Sequence, residues 1–311
     1  MDLNAPILLI VFNRPETTQK VFDSIKLVKP KKLYVAADAP RLGNIDDEKN
    51  CQLVKEIVMQ VDWDCDIHYQ FATINQGCGP GPSNAITWAF KNEDRLVILE
   101  DDCVPALSFF QYCDELLERY KNDTRIWVIS GNQYSEEAVN TTHSYFFARY
   151  CITWGWATWK RCWSEMDINL SKYPLLLKQD LFKSAFRTQE EAIIFQKEIE
   201  KIFHDNDLKS HIWDFQFGFA VISNGGLCIV PKKNLVSNIG YVGTHSNNKN
   251  EFHDKIVDNT FKIISHPDFI LSDLNYDIYQ FKNHWGKITS SKENILLRII
   301  RKIKNIITNG K

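Results

Sequence analysis

Apolar runs alternate with amphipathic stretches through the first hundred residues, and each run ends in a polar side chain. Pro6 to Phe12 is a continuous apolar run that stops at Asn13-Arg14-Pro15, the pattern of a strand covered on both faces. Thr17 or Thr18 is placed to cap a helix through Ile25, with Val21, Phe22 and Ile25 on one face. Leu33 to Ala37 predicts a second strand, ending at Asp38, and a helix from about Asp46 to Gln60 carries Leu53, Val54, Ile57 and Val58. Ile67 to Ala72 predicts a third strand before the loop Asn75-Gln76-Gly77-Cys78-Gly79-Pro80-Gly81-Pro82, after which Ser83 would cap a short helix to Phe90. Leu96 to Leu99 predicts a fourth strand running into Glu100-Asp101-Asp102. This βαβ succession specifies an α/β fold with a doubly wound sheet and right-handed crossovers.

Beyond Pro105 the rhythm changes. Leu107 to Tyr120 reads as an amphipathic helix and Ile126 to Ser130 as a strand. The aromatic segment TWGWATWKRCW follows, from Thr153 to Trp163, where Trp156 and Trp159 could share one face of a helix. A polar helical stretch is expected from about Gln179 to Phe203, a helix after Asp214 to Ser223, and a strand from Leu227 to Val230. No repeat or flexible linker interrupts the chain, so two halves sharing an interface are expected, residues 1–135 and 136–290, with a separate tail at 291–311. In the tail, Ile295, Ile299, Ile303 and Ile306 form one face against Lys292, Arg298, Arg301, Lys302, Lys304 and Lys311. A basic amphipathic helix suits a membrane surface or a docking partner. Packing back on the domain is the competing reading.

A chain of 311 residues can bury a sizeable core, and its net charge of −2 removes the basic field that would point to nucleic acid. Nine tryptophans suit stacking on bases or sugar rings, although most rings are expected in the core. The eight cysteines contain no CxxC pair, which excludes a zinc ribbon or thioredoxin-like site and fits reduced thiols in the cytoplasm. The N-terminus lacks a basic n-region, and its apolar run is too short for a signal or a spanning helix.

The chemistry gathers where the strands end. Arg14, Asp38, Asn75 and the triplet Glu100-Asp101-Asp102 would all reach one edge of the sheet, where open α/β sheets bind ligands. Adjacent carboxylates suit Mg²⁺ or Mn²⁺, which commonly bridge protein to substrate phosphates. A solvated acidic turn is the alternative. Asp38 can accept from a base N–H or a ribose hydroxyl, Arg14 can neutralise phosphate, and Gly77 lets backbone approach a ligand. No Walker motif or GxGxxG is present.

Taken in order, PILLIVFNRP, the Asp38 strand end, NQGCGPGPSNAITWAF, VILEDDCVP with SFFQYC, the WDF segment, GLCIVP and SNIGYVGTHS carry a specific likeness. They resemble GT-A-type nucleotide-sugar glycosyltransferases of bacterial surface-polysaccharide synthesis and, more distantly, N-acetylglucosaminyltransferase I. The resemblance spans roughly residues 5–246. It implies a Rossmann-like mixed sheet flanked by helices and a nucleotide-sugar donor, UDP-linked. Asp38 would then bind uracil or ribose, Arg14 would lie near the phosphates or sugar, Glu100 would contact the donor sugar, and Asp101 the ribose or sugar. Asp102 would hold Mn²⁺ or Mg²⁺ bridging the two phosphates. His245 matches a position where such folds place a metal- or phosphate-contacting histidine; a solvated loop histidine is the alternative.

An inverting transfer needs a base opposite the leaving group. Asp214, between Trp213 and Phe215, is the candidate, although the N-acetylglucosaminyltransferase I pattern has two adjacent acids there and a helix cap is the rival role. Trp154-Gly155-Trp156 could wall the donor sugar or receive the acceptor. The expectation is a metal-dependent inverting hexosyl- or N-acetylhexosaminyltransferase acting on a glycan or lipid-linked glycan. It would be cytoplasmic, held at the inner face of the cell membrane by residues 292–311. The rivals are a sugar-nucleotide pyrophosphorylase and a non-catalytic glycan-binding protein. Against the first, Asn13-Arg14-Pro15-Glu16 replaces the usual basic glycine-rich loop; against the second stand the intact carboxylates.

Overall fold

Aliphatic runs separated by amphipathic helices bury both faces most simply as a sheet flanked by helices. The computed structural model, which describes residues 3–241 and 249–285, has this form. The first half contains β1 (Ile7–Val11), α1 (Pro15–Val28), β2 (Lys32–Ala37), α2 (Ile45–Val58), β3 (Asp66–Phe71), α3 (Pro80–Ala89) and β4 (Arg95–Glu100). Then come β5 (Cys103–Pro105), α4 (Leu107–Arg119), β6 (Ile126–Ser130), β7 (Tyr145–Ala148), β8 (Trp156–Trp159), α5 (Lys160–Trp163) and α6 (Tyr173–Lys178). The chain continues through α7 (Gln189–His204), α8 (Asn206–His211), α9 (Asp214–Ser223), β9 (Leu227–Pro231), β10 (Val236–Asn238) and α10 (Leu274–Gln280).

One eight-stranded mixed sheet runs β3-β2-β1-β4-β8-β6-β9-β7, while β5 and β10 pair as a separate antiparallel ribbon. β1 to β4 are mutually parallel, and β8 enters antiparallel between β4 and β6. Because β8 and β9 flank β6, residues after 135 complete the sheet that the earlier residues begin. The parallel strands are buried as their composition demands, with Leu8, Leu9 and Leu96 to Leu99 fully covered. Pro15 starts α1 with a preset φ, Val21, Phe22, Ile25 and Val28 face the core, and Lys29 ends the helix in the left-handed region at φ 48°. Asn44 caps α2 by accepting the Asp47 N–H at 3.0 Å.

Several local expectations change. α3 starts at Pro80 rather than after Ser83, whose hydroxyl instead donates back to the Gly79 carbonyl at 2.8 Å. The polar stretch from 179 is α-helical only from Gln189, capped by Thr188, after Asp180 turns the chain at φ 52° and a 3-10 turn spans Phe182–Ala185. Trp156 to Trp159 form a strand and not a helix, so the two rings, three residues apart, point to opposite sheet faces. Trp156 packs on Trp163, Trp213 and Phe217, whereas the Trp159 Nε1 donates to the Leu117 carbonyl at 3.1 Å. A second apolar cluster, including Tyr150, Phe195, Ile199 and Phe219, lies around α7 and α9.

Among the described residues no disulfide joins the eight cysteines, and no helix is long and apolar enough to cross a membrane. His245 and the basic tail, residues 292–311, lie outside the described residues.

Candidate active site

Register brings the strand ends together. Ile10 pairs with Glu100 and Val11 with Ala37, so the segments leaving β1, β2 and β4 emerge side by side. They border a cleft of about 420 Å³, within the usual small-molecule range of about 300–1,000 Å³. Arg14, Asp38, Asn75, Gly77, Glu100, Asp101, Asp102 and Trp154 all line it.

Two acids of the triplet share the Arg14 guanidinium. Arg14 Nη1 contacts Asp102 Oδ2 at 2.7 Å and Asp101 Oδ1 at 3.4 Å, and the Phe12 N–H donates to Asp101 Oδ2 at 3.1 Å. The Cys103 thiol donates to Asp102 Oδ1 at 3.3 Å. Glu100 accepts no hydrogen bond from the described residues. Burial, followed by the charges of Asp102, Asp101 and Asp214, lifts its pKa well above the ordinary value. Burial also raises Asp101, outweighing the opposing charge of Arg14. For Arg14 itself burial works against the charge, but the neighbouring carboxylates win and raise it further. One guanidinium therefore faces more negative charge than it can neutralise, and a bound cation would reverse these shifts.

No three His, Cys, Asp or Glu side chains among the described residues form a ready-made metal cage. A divalent ion carried on a diphosphate does not need one, because one or two carboxylates plus phosphate oxygens suffice. The all-oxygen donor set of Glu100, Asp101 and Asp102 fits that chemistry. Access to Asp102 depends on Gly240: a Cβ there would collide with the Asp102 carboxylate. The β5–β10 ribbon fixes this approach, with the Ile239 N–H donating to the Asp102 carbonyl at 2.9 Å.

Asp38 is engaged by its own loop. Its carboxylate accepts from the N–H groups of Ala39 (2.8 Å), Gln76 (2.9 Å) and Gly77 (3.1 Å), and from Asn75 Nδ2 (3.1 Å). Burial raises its pKa against these bonds. Gly77, at φ 76°, supplies the left-handed turn that aims two successive N–H groups at the carboxylate. Asp38 thus holds the glycine-rich loop against the cleft wall, and Asn75 reinforces it by donating to the Ala39 carbonyl at 2.7 Å.

Two groups went unrecognised in the sequence. Arg41 forks onto buried Asp47 at 2.5 and 2.8 Å, Asn13 donates to the same carboxylate at 2.7 Å, and the guanidinium lies 5.8 Å from the Phe12 ring centroid. The signal available was an acid, Asp47, in the first turn of α2 with an arginine six residues before it. His253 also lines the cleft, 5.2 Å from the Trp154 ring and hydrogen-bonded through Nδ1 to Asn250 Oδ1 at 2.8 Å. Burial lowers its pKa while the Asp102 charge opposes that. Nothing around it in the sequence distinguishes it from a solvated loop residue.

Of Trp154-Gly155-Trp156, only Trp154 reaches the cleft. Gly155, at φ 69°, packs under β10, where a Cβ would meet Val236 at 2.7 Å. Trp156 has no exposed surface. The expected donor contacts from these two residues are therefore corrected: the turn at Gly155 threads β8 between β4 and β6 and carries Trp156 into the core.

Asp214 is the first residue of α9, with Trp213 in the cap position, so it is not the helix cap. It borders a second cavity of about 40 Å³ rather than the cleft itself. Water reaches its carboxylate, yet crowding by protein on the other sides raises its pKa, partly offset by the Phe215 N–H at 3.0 Å. Its charge acts on Glu100 and Cys78, both of which line the cleft.

No protein-family profile and no curated protein sequence matches this chain. Solved structures similar to it include a UDP-glucose pyrophosphorylase complexed with UDP-glucose, at 9% identity over 46% of this chain and 62% of that one, with a TM-score of 0.26. The chain thus spans less than two thirds of that protein's length. A 4-diphosphocytidyl-2C-methyl-D-erythritol synthase from Anaerococcus prevotii is 11% identical over 63% of this chain and 99% of that one, with a TM-score of 0.32. Mouse xyloside xylosyltransferase 1, in its apo form, is 11% identical over 70% of this chain and 81% of that one, with a TM-score of 0.33.

Proposed function

We propose that the protein is an inverting glycosyltransferase that takes a sugar from a nucleoside diphosphate donor, UDP-linked, and places it on a glycan or lipid-linked glycan. The observation that carries this reading is the convergence of Arg14, Glu100, Asp101 and Asp102 on one cleft at the carboxyl edge of the sheet. The pyrophosphorylase alternative loses support because α1 starts at Pro15, directly after Arg14, and leaves no room for a glycine-rich loop.

In this reading Phe12 and Arg41 offer a flat surface for the base, and the loop tethered by Asp38 packs against the nucleoside. Arg14 places positive charge beside the diphosphate, and Glu100 faces the donor sugar. Mn²⁺ or Mg²⁺, held by Asp102 together with the diphosphate, would supply the charge that offsets the leaving group. Asp214 accepts the proton of the acceptor hydroxyl, and its raised pKa makes it a stronger base than a surface carboxylate. The basic tail would hold the enzyme against anionic lipid at about 1 kcal/mol per basic residue, on the cytoplasmic face where lipid-linked glycans are extended.

Titration of UDP-sugars in Mn²⁺ by calorimetry tests the donor site. Wild-type protein is expected to bind at least one, and Asp102→Ala to lose metal-dependent binding at an unchanged melting temperature. Equal affinity in the variant would overturn the assignment.

A further inference from the structure

The small cavity beside Asp214 has no role in donor binding. Its walls are mostly apolar, aromatic side chains such as Tyr150, Phe195 and Phe215 beside Cys151 and Ile199, and its polar exceptions are Thr153 and Asp214. Tyr150 and Phe195 stack at 5.3 Å with planes 7° apart, and Phe186 stacks on the other side of the cluster at 5.0 Å, so the walls are fixed by packing. An apolar cavity of about 150 Å³ holds benzene, whereas this one, at about 40 Å³, has room for a methyl-sized group.

Gly218 explains why the space exists. It lies one helical turn after Asp214, on the same face of α9, and borders the cavity. Glycine weakens a helix interior, and nothing in the packing of the described residues requires it here. Among the described residues a Cβ at 218 would meet only the Cys151 sulfur at 3.8 Å, an ordinary contact, and the backbone is not in the left-handed region. What the missing side chain provides is the void itself.

We infer that this cavity receives the methyl group of an acetamido or 6-deoxy sugar on the acceptor, and so selects which acceptor hydroxyl meets Asp214. The inference rests on the transferase reading, in which Asp214 faces the acceptor. A sugar seated with its hydroxyl at Asp214 and its methyl beside Gly218 presents its other side to the cleft, where Glu100 feels the Asp214 charge.

Saturation-transfer NMR with methyl glycosides, in the presence of UDP and Mn²⁺, tests it on the full chain. The pairs are N-acetylglucosaminide against glucoside and fucoside against galactoside, which separate the acetamido from the deoxy source. In wild type the acetyl or C6 methyl protons should saturate most strongly, and the preferred member should bind about 10- to 200-fold more tightly than its partner, the range for one well-fitted methyl-sized group. Gly218→Ala, which fills the void and favours helix, should remove both the methyl signal and the preference while the protein melts no earlier. Even saturation across the ring, or a preference unaltered by Gly218→Ala, would overturn the cavity assignment. Mn²⁺-dependent hydrolysis of UDP-sugars by wild type is measured alongside. Its absence would sink the transferase reading, while a methyl signal removed by Gly218→Ala would still stand for the cavity.

Discussion

The cleft and the small cavity that Asp214 borders are made of opposite materials. The cleft is a row of strand ends where, among the described residues, the Glu100 carboxylate accepts no hydrogen bond and Arg14 is shared between two acids. The cavity is a gap among aromatic side chains of α7, α9 and the segment before β8, left by a glycine. Charge suits recognition of a diphosphate and its metal, because Coulomb interactions are strong where water is partly excluded. Shape suits recognition of a methyl group, whose only currency is contact area. In the proposed reaction Asp214 borders the cavity while its charge acts on Glu100 in the cleft.

Removing the charge of Asp214 should have the largest effect. Asp214→Asn is expected to lower turnover by about 10²- to 10⁴-fold while donor affinity holds, as seen in rates set beside calorimetry. The wild-type pH profile gives a second view. Because crowding raises Asp214, the acidic limb of kcat should lie above the ordinary carboxylate value, with activity rising as pH climbs through the raised pKa. Stability follows the reverse sign: the folded state holds this proton more tightly, so its contribution is full below the unfolded pKa and lost as pH rises through the folded one. A limb at the ordinary value would mean that Asp214 is solvated like a surface acid.

Next in size is the contrast between two tryptophans two residues apart. Trp156→Ala should cost about 3–5 kcal/mol of unfolding free energy in denaturant titration, since it empties a fully buried site. Trp154→Ala should leave unfolding nearer to wild type and weaken ligand binding. Comparable stability losses would place both rings in the core.

Gly240→Ala is the smallest of these changes. The added methyl must displace Asp102, so Mn²⁺-dependent donor binding should weaken by about tenfold, within the 1–3 kcal/mol typical of overpacking at about 1.4 kcal/mol per decade. Undiminished binding would detach Asp102 from the cation.

Local pattern carried the parallel half of the fold. The runs that form β1, β2 and β4 could bury both faces only in a sheet, and their polar ends could only share its edge, so pattern alone puts Arg14, Asp38 and residues 100–102 there. Helix faces such as Val21, Phe22 and Ile25 followed from period alone. Other features depended on partners remote in the chain. The antiparallel insertion of β8 between β4 and β6 decided that Trp156 is core and Trp154 is not, although the two differ little in sequence. Asp38 looked like a free acceptor because the amides that occupy it come from a loop nearly forty residues on. The Asn13–Asp47 contact and the void at Gly218 were silent for the same reason. Periodicity reports how a segment meets the core, because that depends on neighbours three or four residues away; which side chains touch, and which gap stays open, depends on strand pairing and packing across a hundred residues, and only the folded chain records it.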